Sequence, residues 1–376
     1  MNAAGASARL PGGGARAGLA RRRLLAVGLA LPLLPYAGRA RAAVRTGDLI
    51  GALRFYPTRA EDTLLDIAVA NDIGILALSA ANPGIDPWVP GPDQLILLPT
   101  AHLFPEAPRE GIVINKAELG LYWFPRGGRP RRHAIGVGRE GFDTPVGETR
   151  IVRKQKDPTW YPTASTRADR PELPAVVPPG PDNPLGRHAL YLGWPTYLIH
   201  GTNKPYGVGR RVSRGCIRMY PAAVERLFEE VPIGTRVTVV DQPVKVGWHE
   251  GELYLEAHPD LGQLEELEEN YSFTPKPGAV DPAALELVRR KAGEEVRRVD
   301  WHRVEAELVA RRGIPVRVSL SVEELPSEEF PAPEDGPAPD EEPVAEGAPA
   351  QVVLPGEGGP EPALGVDGRS GLGGLY

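Results

Sequence analysis

One cysteine, Cys216, stands in a chain of 376 residues. No intrachain disulfide can form, and a structural zinc site built on several thiolates is excluded. An odd cysteine in an exported chain is a reactive thiol, an intermolecular partner or an inert core residue, and its neighbours must decide. Lysine and acidic residues are absent from the first 45 positions, and lysine and arginine are absent between Arg317 and Arg369. A net charge of −6 segregated in this way offers no basic groove for nucleic acid. The apolar run over 24–34 is too short to span a bilayer comfortably, and no other span or internal repeat is visible.

What is present is organised along the chain. Arg21-Arg22-Arg23 precedes the apolar run, and Ala40-Arg41-Ala42 has the form of a cleavage site. Residues 1–42 therefore read as a signal peptide that is removed on export to the periplasm, with an uncleaved membrane anchor as the alternative. Arg21-Arg22-x-Leu24-Leu25 is similar to a twin-arginine signal.

Residues 51–105 read as a small α+β module, strand, helix, helix, strand, with Asn82-Pro83-Gly84 ending the second helix. Residues 110–243 are β-rich, with a hairpin turn at Arg126-Gly127-Gly128-Arg129 and a helix opened by Pro221. The Pro-rich stretch 156–187 lacks periodicity, so it reads as either disordered or a functional lid. A β-hairpin is expected over 244–260, and two exposed helices within the segment 261–320. Residues 321–376 are acidic, Pro-rich and poor in bulky side chains, a composition that does not order itself. The fold class expected is mainly β, with C-terminal helices.

Chemistry concentrates in Ile199-His200-Gly201 and Ser213-Arg214-Gly215-Cys216-Ile217-Arg218. A free thiol is only a few per cent thiolate at neutral pH, and an imidazole can take its proton to give a thiolate–imidazolium pair. His200 follows a β-branched strand residue that would hold it rigidly. Gly201 lets the backbone turn behind it, and Gly215 would let backbone N–H groups approach a developing oxyanion. The bland alternative is a strand histidine and a core cysteine. His188 and His133 would join a metal site only by accident of folding, so neither metal nor cofactor is expected.

This segment resembles the L,D-transpeptidase family with a YkuD-type catalytic domain. The family pattern is His-Gly, a dozen or so residues, then Ser/Thr-His-Gly-Cys, an apolar residue, and Arg or Asn. The chain departs from it at Arg214, where histidine is commoner. Thr144-Pro145-x-Gly147, Gly180-Pro181-Asp182-Asn183-Pro184-Leu185-Gly186 and Gly234-Thr235-x-Val237 also match. Residues 55–100 resemble a LysM module, a family that binds N-acetylglucosamine glycans. The layout is similar to the branch that attaches murein lipoprotein to peptidoglycan.

The resemblance implies a YkuD-like β-sandwich and a covalent mechanism. Cys216 would attack the carbonyl between meso-diaminopimelate and the terminal D-Ala of a peptidoglycan tetrapeptide. His200, oriented by the Gly201 carbonyl, would act as acid and then base. Gly215 and Cys216 amides would hold the oxyanion, Arg211, Arg214 and Arg218 would contact substrate, and Ser213 would either bond within the site, to substrate, or shape the turn. The acceptor amine would be the C-terminal lysine of the lipoprotein or a second diaminopimelate. Two alternatives share the scaffold or discard the chemistry: an L,D-carboxypeptidase or lipoprotein-releasing hydrolase, and a non-catalytic glycan-binding protein.

Overall fold

A computed structural model describes residues 47–276, 280–321 and 324. The signal-peptide reading lies outside these residues, as does the acidic tail apart from Ser321 and Glu324. The N-terminal elements are β1 (Leu49–Gly51), β2 (Arg54–Pro57), α1 (Leu64–Asn71), α2 (Ile75–Ala81), β3 (Leu95–Leu98) and β4 (Ala101–Leu103). β2 pairs antiparallel with β3, and β1 with β4. Thr63 caps α1 by accepting a hydrogen bond from the Asp66 amide. Leu64, Ile67 and Ala68 then fall on the face that packs against Leu78 and Ile96.

This module is fastened to the domain that follows. Asp72 closes α1 in the left-handed region, at φ 55°, and its carboxylate accepts from His133 Nδ1 at 2.6 Å and from the Ala134 amide at 3.2 Å. Tyr220 Oη donates to the Ile73 carbonyl at 2.8 Å. Gly74 meets Gly209 backbone to backbone, and a Cβ on Gly74 would lie 2.8 Å from Gly209 Cα, so both positions must lack side chains.

The second domain contains β5 (Gly111–Asn115), β6 (Gly120–Phe124), β7 (Arg131–Gly138), β8 (Gly147–Lys156), α3 (Ala164–Asp169), β9 (His188–Leu192), β10 (Leu198–His200), β11 (Arg211–Ser213), β12 (Ile217–Met219), α4 (Pro221–Glu230) and β13 (Arg236–Val240). Its strands run in the order β11-β7-β12-β10-β9-β8-β13-β5-β6, and β6 pairs back onto β7. The mainly β expectation holds. The two faces of the anticipated sandwich belong to one sheet that closes on itself, which leaves no edge between β6 and β7. Ile112, Ile114, Leu121, Ile135, Ile151, Leu190, Ile199 and Ile217 point inward at alternating positions and are fully buried. Each such side chain contributes about 1.5–3 kcal/mol by leaving water. Ala223, Val224 and Leu227 of α4 join the same core.

The C-terminal region comprises β14 (Val244–His249), β15 (Glu252–Ala257), α5 (Leu261–Asn270), α6 (Pro282–Ala292), α7 (Trp301–Ala310) and β16 (Val316–Arg317). β14, β15 and β16 form a three-stranded sheet. The two helices expected to be exposed each bury a stripe on this sheet, through Ala284, Val288 and Ala292 of α6 and Val304 and Leu308 of α7. α5 departs from it, and its Leu267 completes the core of α1 and α2.

A buried ionic cluster joins the three regions. Lys245 Nζ donates to the Leu103 carbonyl and to Glu118 Oε2, each at 2.8 Å, and to Tyr122 Oη at 3.1 Å, and it pairs with Glu256 Oε1 at 3.0 Å. Glu256 also accepts from His102 Nδ1 at 3.1 Å and His258 Nε2 at 2.9 Å. Burial pushes the Glu256 carboxyl upward, but Lys245 and the two imidazoles override it and hold Glu256 well below the usual carboxylate range. His102, Glu118 and Glu256 would suit a metal by spacing alone, and the Lys245 ammonium already supplies the positive charge among them.

Removing that ammonium strands two carboxylates in a medium of low polarity. Lys245→Met should therefore cost about 3–5 kcal/mol of stability. Urea unfolding followed by tryptophan fluorescence checks this, and a cost below about 1 kcal/mol would contradict the role given to Lys245.

Candidate active site

The parallel pairing of β10 with β12 sets Ile199 beside Ile217 and His200 beside Arg218. Parallel neighbours need a crossover of a dozen or more residues, and segment 201–216 is that crossover. Ile199 and Ile217 point into the core. His200, Cys216 and Arg218 alternate with them and line a groove of about 1080 Å³ on the other face.

His200 is buried at the end of its strand, and its Nδ1 donates to the Gly201 carbonyl at 2.6 Å. A carbonyl only accepts, so the ring proton sits on Nδ1 and the Nε2 lone pair is left free. Burial, and then the positive Arg218, push the His200 pKa down to about 4. The imidazole is neutral and ready to accept a proton across the neutral range.

Cys216 ends a tight turn that is satisfied from within. Ser213 Oγ donates to the Cys216 carbonyl at 2.6 Å and accepts the Gly215 amide at 3.1 Å. Thr144, itself buried, donates its hydroxyl to the Gly215 carbonyl at 2.9 Å. Gly215 has φ 97°, and a Cβ there would stand 2.6 Å from Tyr197 Cε1, so only glycine fits. The thiol donates to the Thr196 carbonyl at 3.4 Å, and Thr196 holds φ 71°, a left-handed conformation costly for a β-branched residue. Burial raises the Cys216 pKa, against the opposing pull of the Leu198 amide and the Arg218 charge. Burial thus favours the uncharged form of both groups.

The stretch 156–187 is ordered over the groove. Trp160 and Val177 exchange backbone hydrogen bonds at 2.9 Å, and α3 is capped by Thr163. Asn183 Nδ2 lies 2.8 Å from the Pro158 carbonyl and 3.1 Å from that of Pro178, tying the two legs of the loop together. Arg214 pairs with Asp169 of α3, and its guanidinium lies 4.2 Å over the Phe142 ring. Arg139 covers the same ring at 4.5 Å. Arg211 pairs with Asp143 at 3.1 Å.

The YkuD family, the L,D-transpeptidase catalytic domain, matches residues 109–239. The probable L,D-transpeptidase ErfK/SrfK of Salmonella typhimurium is 40% identical over 253 residues, covering 65% of this chain and 79% of its own length. The chain belongs to the L,D-transpeptidase family. The probable L,D-transpeptidases YcfS and YbiS of Escherichia coli are both 42% identical, over 255 and 215 residues, with 63% and 55% of this chain and 77% and 70% of their own lengths covered.

The chain is thus an enzyme, an L,D-transpeptidase, and the structure revises several expectations about its groove. Gly215 keeps its amide for Ser213 Oγ, so that N–H is not an oxyanion donor in this geometry. Of the two roles open to Ser213 it takes the turn-shaping one: it is buried and makes two internal hydrogen bonds. Arg214 lines the groove as a partner of Asp169, whereas Arg211 pairs with Asp143 and is not among the lining residues. Arg214, the departure from the family pattern, is the residue that ties the lid helix to the cysteine turn. Arg218 faces no carboxylate among the described residues, and its Nε is buried without a hydrogen-bond partner. The Thr196 carbonyl, the Leu198 amide and Phe142 carry no sequence signal. Only the turn residues Gly193-Trp194-Pro195 point to that neighbourhood.

A raised thiol pKa makes this transpeptidase's Cys216 less ionised than a free cysteine at pH 7. Its alkylation by iodoacetamide should be slower than that of free cysteine and should keep rising above pH 9. A plateau below pH 7, read by intact mass, would instead reveal a preformed thiolate.

Proposed function

We propose that Cys216 and His200 carry acyl transfer on peptidoglycan stem peptides. The observation that supports this most directly is the His200 Nδ1–H bond to Gly201, which leaves Nε2 as a free base in the groove that holds the thiol. Cys216 Sγ attacks the carbonyl carbon joining diaminopimelate to the terminal D-Ala, and its proton passes to His200 Nε2. The C–N bond breaks, D-Ala leaves with that proton on its amine, and a thioester remains on Cys216. An acceptor amine then gives a proton to His200 and attacks the thioester, and the sulfur departs as the reprotonated thiol. Neutral resting groups suit this cycle, because the charge separated on attack is returned at each collapse.

The acceptor in this reading is the C-terminal lysine of murein lipoprotein or a second diaminopimelate, as the resemblance to the lipoprotein-attaching branch implies. The enzyme works outside the cytoplasm, in the periplasm where its substrate lies. The N-terminal module holds glycan there. Trp88 is 54% exposed, with its indole fixed by a 3.1 Å hydrogen bond from Nε1 to Tyr271 Oη, and so offers a rigid aromatic face of the kind sugars stack on.

Cys216→Ala should abolish D-Ala release from tetrapeptide muropeptide while leaving the protein folded. Mass spectrometry of products, with and without a lipoprotein C-terminal peptide, distinguishes anchoring, crosslinking and hydrolysis. Undiminished D-Ala release by the variant would refute the cysteine mechanism. Trp88→Ala should reduce co-sedimentation with purified sacculi several-fold, and unchanged pelleting would remove the glycan role.

A further inference from the structure

We infer that Arg153 holds a free carboxylate of the donor stem peptide, at a distance from the reacting bond. This rests on the stem-peptide reading above and adds to it a residue that decides which donors fit. Five arginines and one carboxylate, Asp169, line the groove among the described residues. Arg139 and Arg214 share Asp169, and Arg170 faces Glu172 at 3.2 Å. Arg153 and Arg218 have no carboxylate partner among the described residues. Arg218 adjoins His200 and Cys216 at the reacting centre, which leaves Arg153 as the cation available elsewhere along the groove.

Its position is set by the sheet. Arg153 on β8 pairs with Tyr191 on β9, and Tyr191 with Leu198 on β10. The β10–β12 register extends that row to Cys216. Arg153, Tyr191, Leu198 and Cys216 all line the groove, while their neighbours Leu190, Leu192, Ile199 and Ile217 are buried in the core. The Arg153 guanidinium lies 3.4 Å over the Tyr191 ring, one strand nearer the thiol than its own backbone. Two strand spacings, about 10 Å, then separate it from the Cys216 row position. An extended peptide covers that in about three residues.

The guanidinium is prepared for an anion. Stacking on Tyr191 fixes its plane and leaves the in-plane N–H groups free. Nη1 donates to Gln155 Oε1 at 2.6 Å, and the Tyr191 hydroxyl donates to the same oxygen at 3.3 Å. This locks one edge and presents the rest for a bidentate carboxylate. An acidic stem peptide lying along the row would meet Arg153 about three residue lengths from the scissile carbonyl.

The test is calorimetric binding of tetrapeptide donor to the Cys216→Ala protein with and without Arg153→Gln, using the free-acid donor and a carboxyl-amidated one. Arg153→Gln should weaken the free-acid donor about tenfold. It should leave the amidated donor unchanged, and Arg153→Lys should recover part of the loss. Equal affinities of the two proteins for the free-acid donor would overturn the assignment, and so would an equal loss with both donors. Arg153 is exposed, and an unchanged melting temperature verifies that the variants fold. Absence of D-Ala release by the unmodified enzyme would count against the transpeptidase mechanism alone, because the binding comparison does not depend on turnover.

Discussion

The pairing of two three-residue strands carries the site. β10 and β12 run parallel, so His200 and the cysteine turn emerge on one face although a whole crossover separates them in the chain. The isoleucines between them point the other way and are fully buried. A slip of one residue in this pairing would turn the thiol toward the core and an isoleucine toward the groove. Registry is thus fixed by the same hydrophobic burial that holds the closed sheet together.

Charge is handled in opposite ways at the two buried centres of the protein. Where the three regions meet, Glu118, Glu256 and Lys245 are ionised and compensate one another within 2.8–3.0 Å. In the active site, burial shifts His200 and Cys216 each toward the neutral form, and Arg218 reinforces this at His200 while opposing it at Cys216. The first arrangement favours a fixed structure, since breaking any pair leaves a buried charge. The second leaves a thiol and an imidazole without a fixed charge in the same groove.

Much of this was legible from residue order. The motif residues Gly215, Ser213 and Thr144 meet in one turn, and the asparagine of the Gly180-to-Gly186 segment bonds both legs of the lid, although the loss of the oxyanion role expected of the Gly215 amide and the link from Thr144 to the cysteine turn were not visible in residue order. The lid itself was ambiguous, because a Pro-rich stretch without periodicity reads alike whether it is disordered or held by scattered side-chain bonds. The two C-terminal helices were expected to be exposed. Their buried stripes pack on Val246 and Trp248 of β14 and Leu253 and Leu255 of β15, a sheet that the helix pattern alone does not place beneath them.

The sequence by itself determined the family, the thiol and its imidazole, and the position of the turn that presents the sulfur, because these rest on residue types at fixed separations. Tertiary structure alone decided the burial of the thiol and imidazole, the partners of the arginines and the placement of Arg153 in the row of Cys216. Desolvation and ion pairing depend on what lies nearby in space, and those neighbours come from strands and a lid far apart along the chain.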